Sequence, residues 1–156
     1  MIQFRTMTES EYQLYLANLY TGYADEQVKA GSWPANNAIE LAKAEVKEML
    51  PDGLASKNNF LYSLIAPDES SPVGVLWILI RERNKQKEAF IADIVIYDAY
   101  RHRGYGAQAL KALDEVVRGM GIHRLRLQVF GHNLAARDLY EKSGYEMVNI
   151  YMEKRV

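Results

Sequence analysis

From Ala89 onward the hydrophobic pattern of the chain changes period again and again, and this restricts the fold more than any other feature. AFIADIVIY, residues 89–97, is an apolar run of strand length. After Gly104, residues Ala107, Leu110, Leu113, Val117 and Met120 recur at helical spacing, and Gly119 and Gly121 mark the end of that helix. Leu125–Phe130 reads as a buried strand, Asn133–Ser143 as a helix capped by Gly144, and Tyr145–Glu153 as a last strand. Strand–helix–strand–helix–strand in that order requires crossovers, so part of the sheet is parallel. Upstream, Phe60–Ala66, Val73–Ile80 and Ala89–Tyr97 follow one another with only the polar stretches 67–72 and 81–88 between them, the order of an antiparallel meander. The expected fold is therefore α/β in the α+β sense: a mixed, mostly antiparallel central sheet flanked by helices.

The amino-terminal part adds Ile2–Arg5 as a short strand. Thr8-Glu9-Ser10-Glu11 has the form of a capping box, predicting a helix through about Tyr20. Glu26–Leu50 predicts two helices separated at Gly31-Ser32-Trp33-Pro34 and stopped by Pro51-Asp52-Gly53. At 156 residues, 1–156 is expected to form one domain with its own core.

Composition serves chiefly to exclude. The chain has no cysteine, which removes disulfides, thiol nucleophiles and cysteine-based metal sites and fits a reducing compartment. Its start lacks the basic-then-apolar order of a signal peptide, and no apolar run approaches the roughly 20 residues of a membrane span. A cytoplasmic protein with no membrane partner is expected. The net charge of −1 argues against a general nucleic-acid binder. His102, His123 and His132 have no spacing that would ligate a metal, and neither a Gly-x-Ser-x-Gly elbow nor a Walker loop is present.

One stretch departs from this even charge. Tyr100–Leu110, YRHRGYGAQAL, concentrates Arg101, His102 and Arg103 before two glycines at the junction of a predicted strand and helix. Glycines allow close approach of backbone to a ligand, and free N–H groups at a helix amino terminus suit a phosphate. A basic turn that binds nothing is the competing reading. Gly104-Tyr105-Gly106 with Ala109 in the third position stops short of a dinucleotide fingerprint, and no acidic ribose ligand follows at the usual distance.

A second pattern follows downstream: Val129, Asn133, Ala136, Tyr140, Gly144 and Tyr145. Asn133, Ala136 and Tyr140 share one helix face, with a small residue between an amide and a phenol. With Arg101-x-x-Gly104-x-Gly106 before it, residues 89–146 resemble the GNAT superfamily of acyl-CoA-dependent N-acetyltransferases. The resemblance implies a strand–phosphate loop–helix cofactor unit. In it Ile94, Val95 and Ile96 offer backbone to the pantetheine arm of acetyl-CoA. Arg101, His102, Arg103, Gly104, Tyr105, Gly106 and Ala107 cradle the pyrophosphate, and Asn133, Ala136 and Tyr140 line the cofactor. The family often has glycine where His102 stands.

The implied reaction is direct attack of a primary amine on the thioester in a ternary complex. Tyr140 would be the general acid for the departing thiolate, and a backbone N–H of the Ala89–Tyr97 strand would polarise the carbonyl. Some relatives carry a glutamate base at a position matching Ala92. Asp93 stands beside it, but simple strand alternation points the two to opposite faces. The base is thus left open between Asp93, water and a carboxylate such as Glu26, and Asp93 is equally readable as a buried structural group. No metal is called for. A non-catalytic acyl-CoA sensor and, more remotely, a nucleotide-dependent oxidoreductase are the other readings. The acceptor amine (small molecule, peptide or protein) is undetermined, with Tyr23 and Trp33 near its expected entrance. A homodimer is allowed but not required.

Overall fold

The computed structural model describes residues 1–156. Its elements are β1 (Gln3–Thr6), α1 (Glu9–Lys29), α2 (Ala38–Met49), β2 (Asn59–Ile65), β3 (Gly74–Arg83), β4 (Gln86–Ile96), α3 (Tyr105–Gly119), β5 (Leu125–Leu127) and α4 (Leu134–Lys142), with single 3-10 turns at Gly53–Ala55 and Asp98–Tyr100. The five strands lie in chain order in one sheet; β1 to β4 are antiparallel neighbours, and β5 joins β4 in parallel after the α3 crossover. This is the mixed, mostly antiparallel sheet expected.

Alternation along the strands makes two cores. Leu76 and Ile78 of β3 and Leu64 of β2 face α3, where they meet Ala109, Leu110, Leu113 and Val117. Val75 and Trp77 face the opposite side with Tyr12 and Tyr15 of α1 and Val46 of α2. The helices thus sandwich a sheet whose central strands are apolar on both faces. No helix is long and apolar enough to cross a membrane.

The capping box forms as expected: the Glu11 backbone N–H donates to Thr8 Oγ1 at 3.2 Å, and Glu11 Oε2 accepts from the Thr8 N–H at 2.9 Å. Arg5 and the Ser63 hydroxyl also bond to the Glu11 carboxylate and hold it at about pKa 2.

Four local expectations are corrected. Helix α1 does not stop near Tyr20 but continues through Gly22 to Lys29, and the positive-φ Gly31 follows its end. Residues 81–88 are mostly strand, not loop: β3 and β4 zip up to a two-residue turn, with Asn84 at φ 50° and Lys85 at φ 64°. Positive φ at both positions is the mirror-image turn that matches strand twist. The strand at Leu125–Phe130 is cut to Leu125–Leu127, since β4 diverges beyond Ile91 and leaves it nothing to pair with. Tyr145–Glu153 forms no strand; its period is right, but it pairs with no edge.

At the closed end of the β4–β5 pair, Glu88 is buried with its side chain only 3 % exposed. It is ringed by Arg83 Nε and Arg126 Nε at 3.4 Å and Arg81 Nε at 3.7 Å. These contacts are longer than ordinary hydrogen bonds, so charge rather than bonding geometry holds the carboxylate there. The cluster pins β3, β4 and β5 together where they meet.

Candidate active site

The site begins with a register fault. Trp77 pairs with Asp93 and Ile78 with Ile91, so Ala92 is an extra residue in β4. A bulge of this kind bends its strand and increases the local twist. Strand β5 accompanies β4 only through Ala89, Phe90 and Ile91, and from Ala92 to Ile96 that edge of β4 carries no strand. The result is a cleft between the two parallel strands, lined on one side by unpaired backbone. Ile94, Val95 and Ile96 form that edge. The Ile96 carbonyl accepts from Arg101 Nε at 3.1 Å.

The bulge also corrects the alternation argument. Ile91, Ile94 and Ile96 pack toward α3, whereas Ala92 and Val95 pack toward α1. Asp93 turns to α1 as well, where the Tyr15 hydroxyl donates to its Oδ2 at 2.8 Å. Ala92 and Asp93 are therefore not on opposite faces, because two residues oppose one across a bulge. Burial raises the Asp93 pKa above the ordinary carboxylate value, and the bonds from Tyr15 and the Ile94 N–H only partly counter it. Burial, with the Asp93 charge, keeps Tyr15 protonated well beyond a normal phenol.

Across the cleft stands Tyr140, half-buried on α4. Burial and then the negative charge of Asp93 raise its pKa to about 12. Its ring meets Tyr145 edge-on, with centroids 5.7 Å apart and planes at 63°. Tyr145 is placed by Gly144, which ends α4 at φ 93° so that the Tyr145 N–H can return to the Tyr140 carbonyl at 3.0 Å. This accounts for the Tyr-x-x-x-Gly-Tyr spacing. Ala136 lies one turn before Tyr140, also half-buried. Asn133 caps α4: its side-chain oxygen accepts from the Ala136 N–H at 3.2 Å, leaving the amide NH2 for another partner.

The glycine loop closes the carboxyl end of β4. Gly104 adopts φ 80° immediately before α3, and no side chain caps that helix. The N–H groups of Tyr105, Gly106 and Ala107 in its first turn thus have no partner within the helix. His102 sits at φ 61°, in the left-handed region, with its side chain exposed. That backbone shape is the physical reason a glycine would suit this position. Gly106 is a close-packing point: a β-carbon there would lie 3.2 Å from Leu139 Cδ2 of α4.

The basic side chains of the loop do not all face inward. Arg101 also pairs with Asp98 at 3.0 Å. Arg103 reaches Glu69 at 2.8 Å and lies over the Tyr100 ring. The Tyr105 ring is buried and its hydroxyl donates to Asp68 at 3.2 Å, so only its backbone is available to a ligand.

Glu26, the other carboxylate considered as a base, meets His132 Nε2 at 2.6 Å and so ties α1 to the loop before α4. Tyr23 and Trp33 pack edge-on at 5.3 Å, and the Tyr23 hydroxyl donates to Glu45 at 2.6 Å. Gln27 of α1 also donates to the Tyr23 hydroxyl at 3.0 Å, so this pair is engaged with α1 and α2. No group of three or more His, Asp or Glu side chains converges as a metal site would. Tyr15 and Leu139 are the residues that sequence reasoning missed. Neither carries a local signal, since a tyrosine or leucine on the inner face of a helix reads as ordinary core.

Comparison with known proteins agrees with this architecture. Residues 17–145 match the acetyltransferase (GNAT) family. The chain is 41% identical over 155 residues to the uncharacterized N-acetyltransferase YycN of Bacillus subtilis, covering 99% of each protein. The crystal structure of YycN superposes with a TM-score of 0.94 over 100% of this chain and 99% of that one. A second B. subtilis relative, the uncharacterized N-acetyltransferase YdgE, is 36% identical over 150 residues, 96% of this chain and 95% of its own. A "predicted acetyltransferase with acetyl-CoA" from Clostridium acetobutylicum shares the fold at a TM-score of 0.64 and 15% identity, covering 99% and 96% of the two chains. With matched motifs, a matched strand order and relatives of this identity along its whole length, the chain belongs to the GNAT family of acetyltransferases.

Proposed function

We propose that the protein transfers an acetyl group from acetyl-CoA to a primary amine by direct attack within a ternary complex, with Asp93 as base and Tyr140 as proton donor. The observation that carries this reading is the cleft at the Ala92 bulge, where the half-buried Asp93 carboxylate and the half-buried Tyr140 phenol flank an open strand edge. The fit to the donor rests on three features of this chain. The 94–96 edge is free to pair with an amide-bearing arm. The α3 amino terminus is uncapped behind a left-handed Gly104. Gly106 lets the helix approach closely. The Clostridium neighbour solved with acetyl-CoA favours the same donor.

Acetyl-CoA supplies an acyl carbon activated as a thioester. Everything else falls to side chains and backbone. Asp93 takes a proton from the ammonium form of the acceptor, a task helped by its raised pKa, since an ordinary carboxylate near 4 is a weak base for an amine near 10. A backbone N–H of β4 faces the charge that develops on the carbonyl oxygen. The amine nitrogen bonds to the acyl carbon and the carbon–sulfur bond breaks. Tyr140 then gives its proton to sulfur. With a pKa of about 12 against roughly 8.5 for a thiol, that transfer alone runs uphill. Tyr140 therefore works as a relay: the tyrosinate recovers a proton from the acylated nitrogen as that nitrogen becomes a neutral amide. The proton on Asp93 returns to water, and the balance is one amide, one thiol and one proton released.

The first test is thermal unfolding with and without acetyl-CoA, beside Tyr140→Phe. Ligand at about 100 times its dissociation constant adds about 2.7 kcal/mol, and both proteins should shift alike. Initial rates with a panel of amines should then give intersecting double-reciprocal lines for the parent and a loss of about 10²–10⁴ in kcat for Tyr140→Phe. No thermal shift at millimolar acetyl-CoA would refute the donor assignment. Parallel lines would point to a covalent enzyme intermediate and refute direct attack. Binding without turnover of any amine would favour a sensor.

A further inference from the structure

We propose that Arg81 and Arg126, helped by Arg83, form an oxyanion subsite for the acceptor, so that the substrate is a small amine bearing a carboxylate or a phosphate. This rests on the acetyl-transfer reading above and names the class of amine. The starting point is an uncovered strip of the sheet on its α1/α2 side. Leu79 lies two residues beyond Trp77 on β3 and so shares the face that Trp77 turns toward α1 and α2. Its cross-strand partner is Phe90 of β4. Yet neither Leu79 nor Phe90 packs into any core cluster, and both are only half-buried. The helices thus stop short of this part of the face. Along β4 the strip leads from Phe90 to Asp93, which turns to the same side to meet Tyr15, a span of three residues or roughly 10 Å.

Phe90 is flanked by guanidiniums. Arg81 lies over its ring, 4.4 Å from the centroid, and Arg126 is its partner across the β4–β5 pair. Arg83 completes the group, and all three meet the buried Glu88 through Nε. One carboxylate offsets one guanidinium, so two positive charges remain unbalanced. A cluster built only to hold three strands together would need a single arginine, since each further one adds repulsion. Nor is the cluster closed on itself: Arg81 Nε and both Glu88 oxygens are buried without a hydrogen-bond partner. The arginine side chains themselves stay accessible, with Arg81 37%, Arg83 54% and Arg126 26% exposed.

The acceptor lies along this strip with its nitrogen at Asp93, its apolar stem on Phe90 and Leu79, and its anion between Arg81 and Arg126. A guanidinium presents paired N–H donors that match two oxygens of a carboxylate or phosphate, and charge-assisted bonds of this kind are the strong ones. Glu88 engages the guanidiniums at Nε and leaves their terminal NH2 groups for the second anion. A carboxylate reduces the excess to one positive charge, and a doubly charged phosphate removes it.

The test compares matched amines: 8-aminooctanoate against its methyl ester, and 6-aminohexyl phosphate against 6-aminohexanol. In each acid the nitrogen and the anion stand roughly 10 Å apart when extended, as the strip requires. At least one acid should exceed its neutral counterpart in kcat/KM by about 10–100-fold, the value of a hydrogen bond to a charged group, and the better of the two identifies the anion. In Arg81→Gln and Arg126→Gln, with circular dichroism matching the parent, that ratio should fall toward one. Arg83→Gln, at the most exposed of the three positions, should lower it less and serves where loss of Arg126 disturbs Glu88. Equal rates with acid and neutral amine, or a preference that survives in all three variants, would overturn the subsite. Binding is measured in parallel with 8-acetamidooctanoate, which needs no turnover. It should shift the Arg81 and Arg126 Nε–H NMR signals at concentrations where its methyl ester does not. If those shifts occur but no amine is acetylated, the transfer reading fails and the subsite stands. If amines are acetylated without regard to charge and the arginine signals stay in place, the subsite alone fails.

Discussion

The bond from the Tyr15 hydroxyl to Asp93 allows a quantitative test of the base. At 2.8 Å it is a hydrogen bond to a charged group when Asp93 is ionised, worth about 1.5–3 kcal/mol. Tyr15→Phe removes it and leaves the half-buried carboxylate with the Ile94 N–H as its remaining backbone donor. The lost stabilisation belongs to the ionised form, so the Asp93 pKa must rise further. At about 1.36 kcal/mol per pKa unit, the rise is roughly 1–2 units. In kcat/KM against pH, the acidic limb of Tyr15→Phe should lie that much higher than in the parent, with the plateau at high pH retained. Stability supplies an independent reading. Because burial already lifts the folded pKa of Asp93 above 3.8, folding takes up a proton in the interval between, and stability declines as pH rises through it. A further rise deepens that decline, so Tyr15→Phe should cost about 1.5–3 kcal/mol more at pH 8 than at pH 4. An acidic limb that stays in place, together with an equal stability loss at both pH values, would refute the assignment of Asp93 as the titrating base.

Other perturbations have equally definite outcomes. Glu11→Gln should destabilise by about 2 kcal/mol at pH 7, a difference that fades as pH falls below 4.5 and disappears near 2, where the native carboxylate protonates; urea titrations at the two pH values would show it. Glu88→Ala leaves Arg81, Arg83 and Arg126 facing one another without their carboxylate, but all three are partly exposed to water, so the loss by chemical denaturation should be about 1–3 kcal/mol. At His102 the left-handed backbone means that His102→Gly stays within about 1 kcal/mol of the parent, because relieved strain offsets glycine's greater freedom when unfolded. His102→Val should lose more than that in the same thermal assay. A β-carbon at Gly74 would fall 2.1 Å from the Val95 carbonyl oxygen, so Gly74→Ala should force β3 from β4, with a loss of about 2 kcal/mol or more and weaker acetyl-CoA binding by calorimetry.

What could be read directly from the sequence was what is determined locally. The glycine loop announces a left-handed backbone before α3, and Asn133 through Tyr145 announce a cap, a face and a stop; each is a matter of a few consecutive residues. The meander and the crossover also follow from period and order alone. The bulge was hidden because alternation assumes one residue per pair, and the extra residue at Ala92 is defined only against Trp77 and Ile78 on β3. Tyr15 was hidden for a related reason: it gains meaning only from a carboxylate 78 positions away. The charged residues 81–88 read as loop because strands that extend past the core into solvent lose their apolar signature. For Tyr145–Glu153 the pattern was strand-like, but a strand also needs an edge, and period carries no information about which edge that is.

The pairing of neighbours in chain order has a kinetic consequence. Strands β2 to β4 assemble through short connections, whereas β1 reaches β2 only across α1 and α2, and β5 joins only after the α3 crossover and through three residue pairs. Contacts of that kind form late and open first. Amide hydrogens of β2, β3 and the first half of β4 will exchange only on global unfolding, while those of β5 and α4, which carries Tyr140, will exchange through local opening. The half of the molecule proposed to hold acetyl-CoA is thus lightly held by its own backbone, and occupancy of the cleft should slow exchange there first.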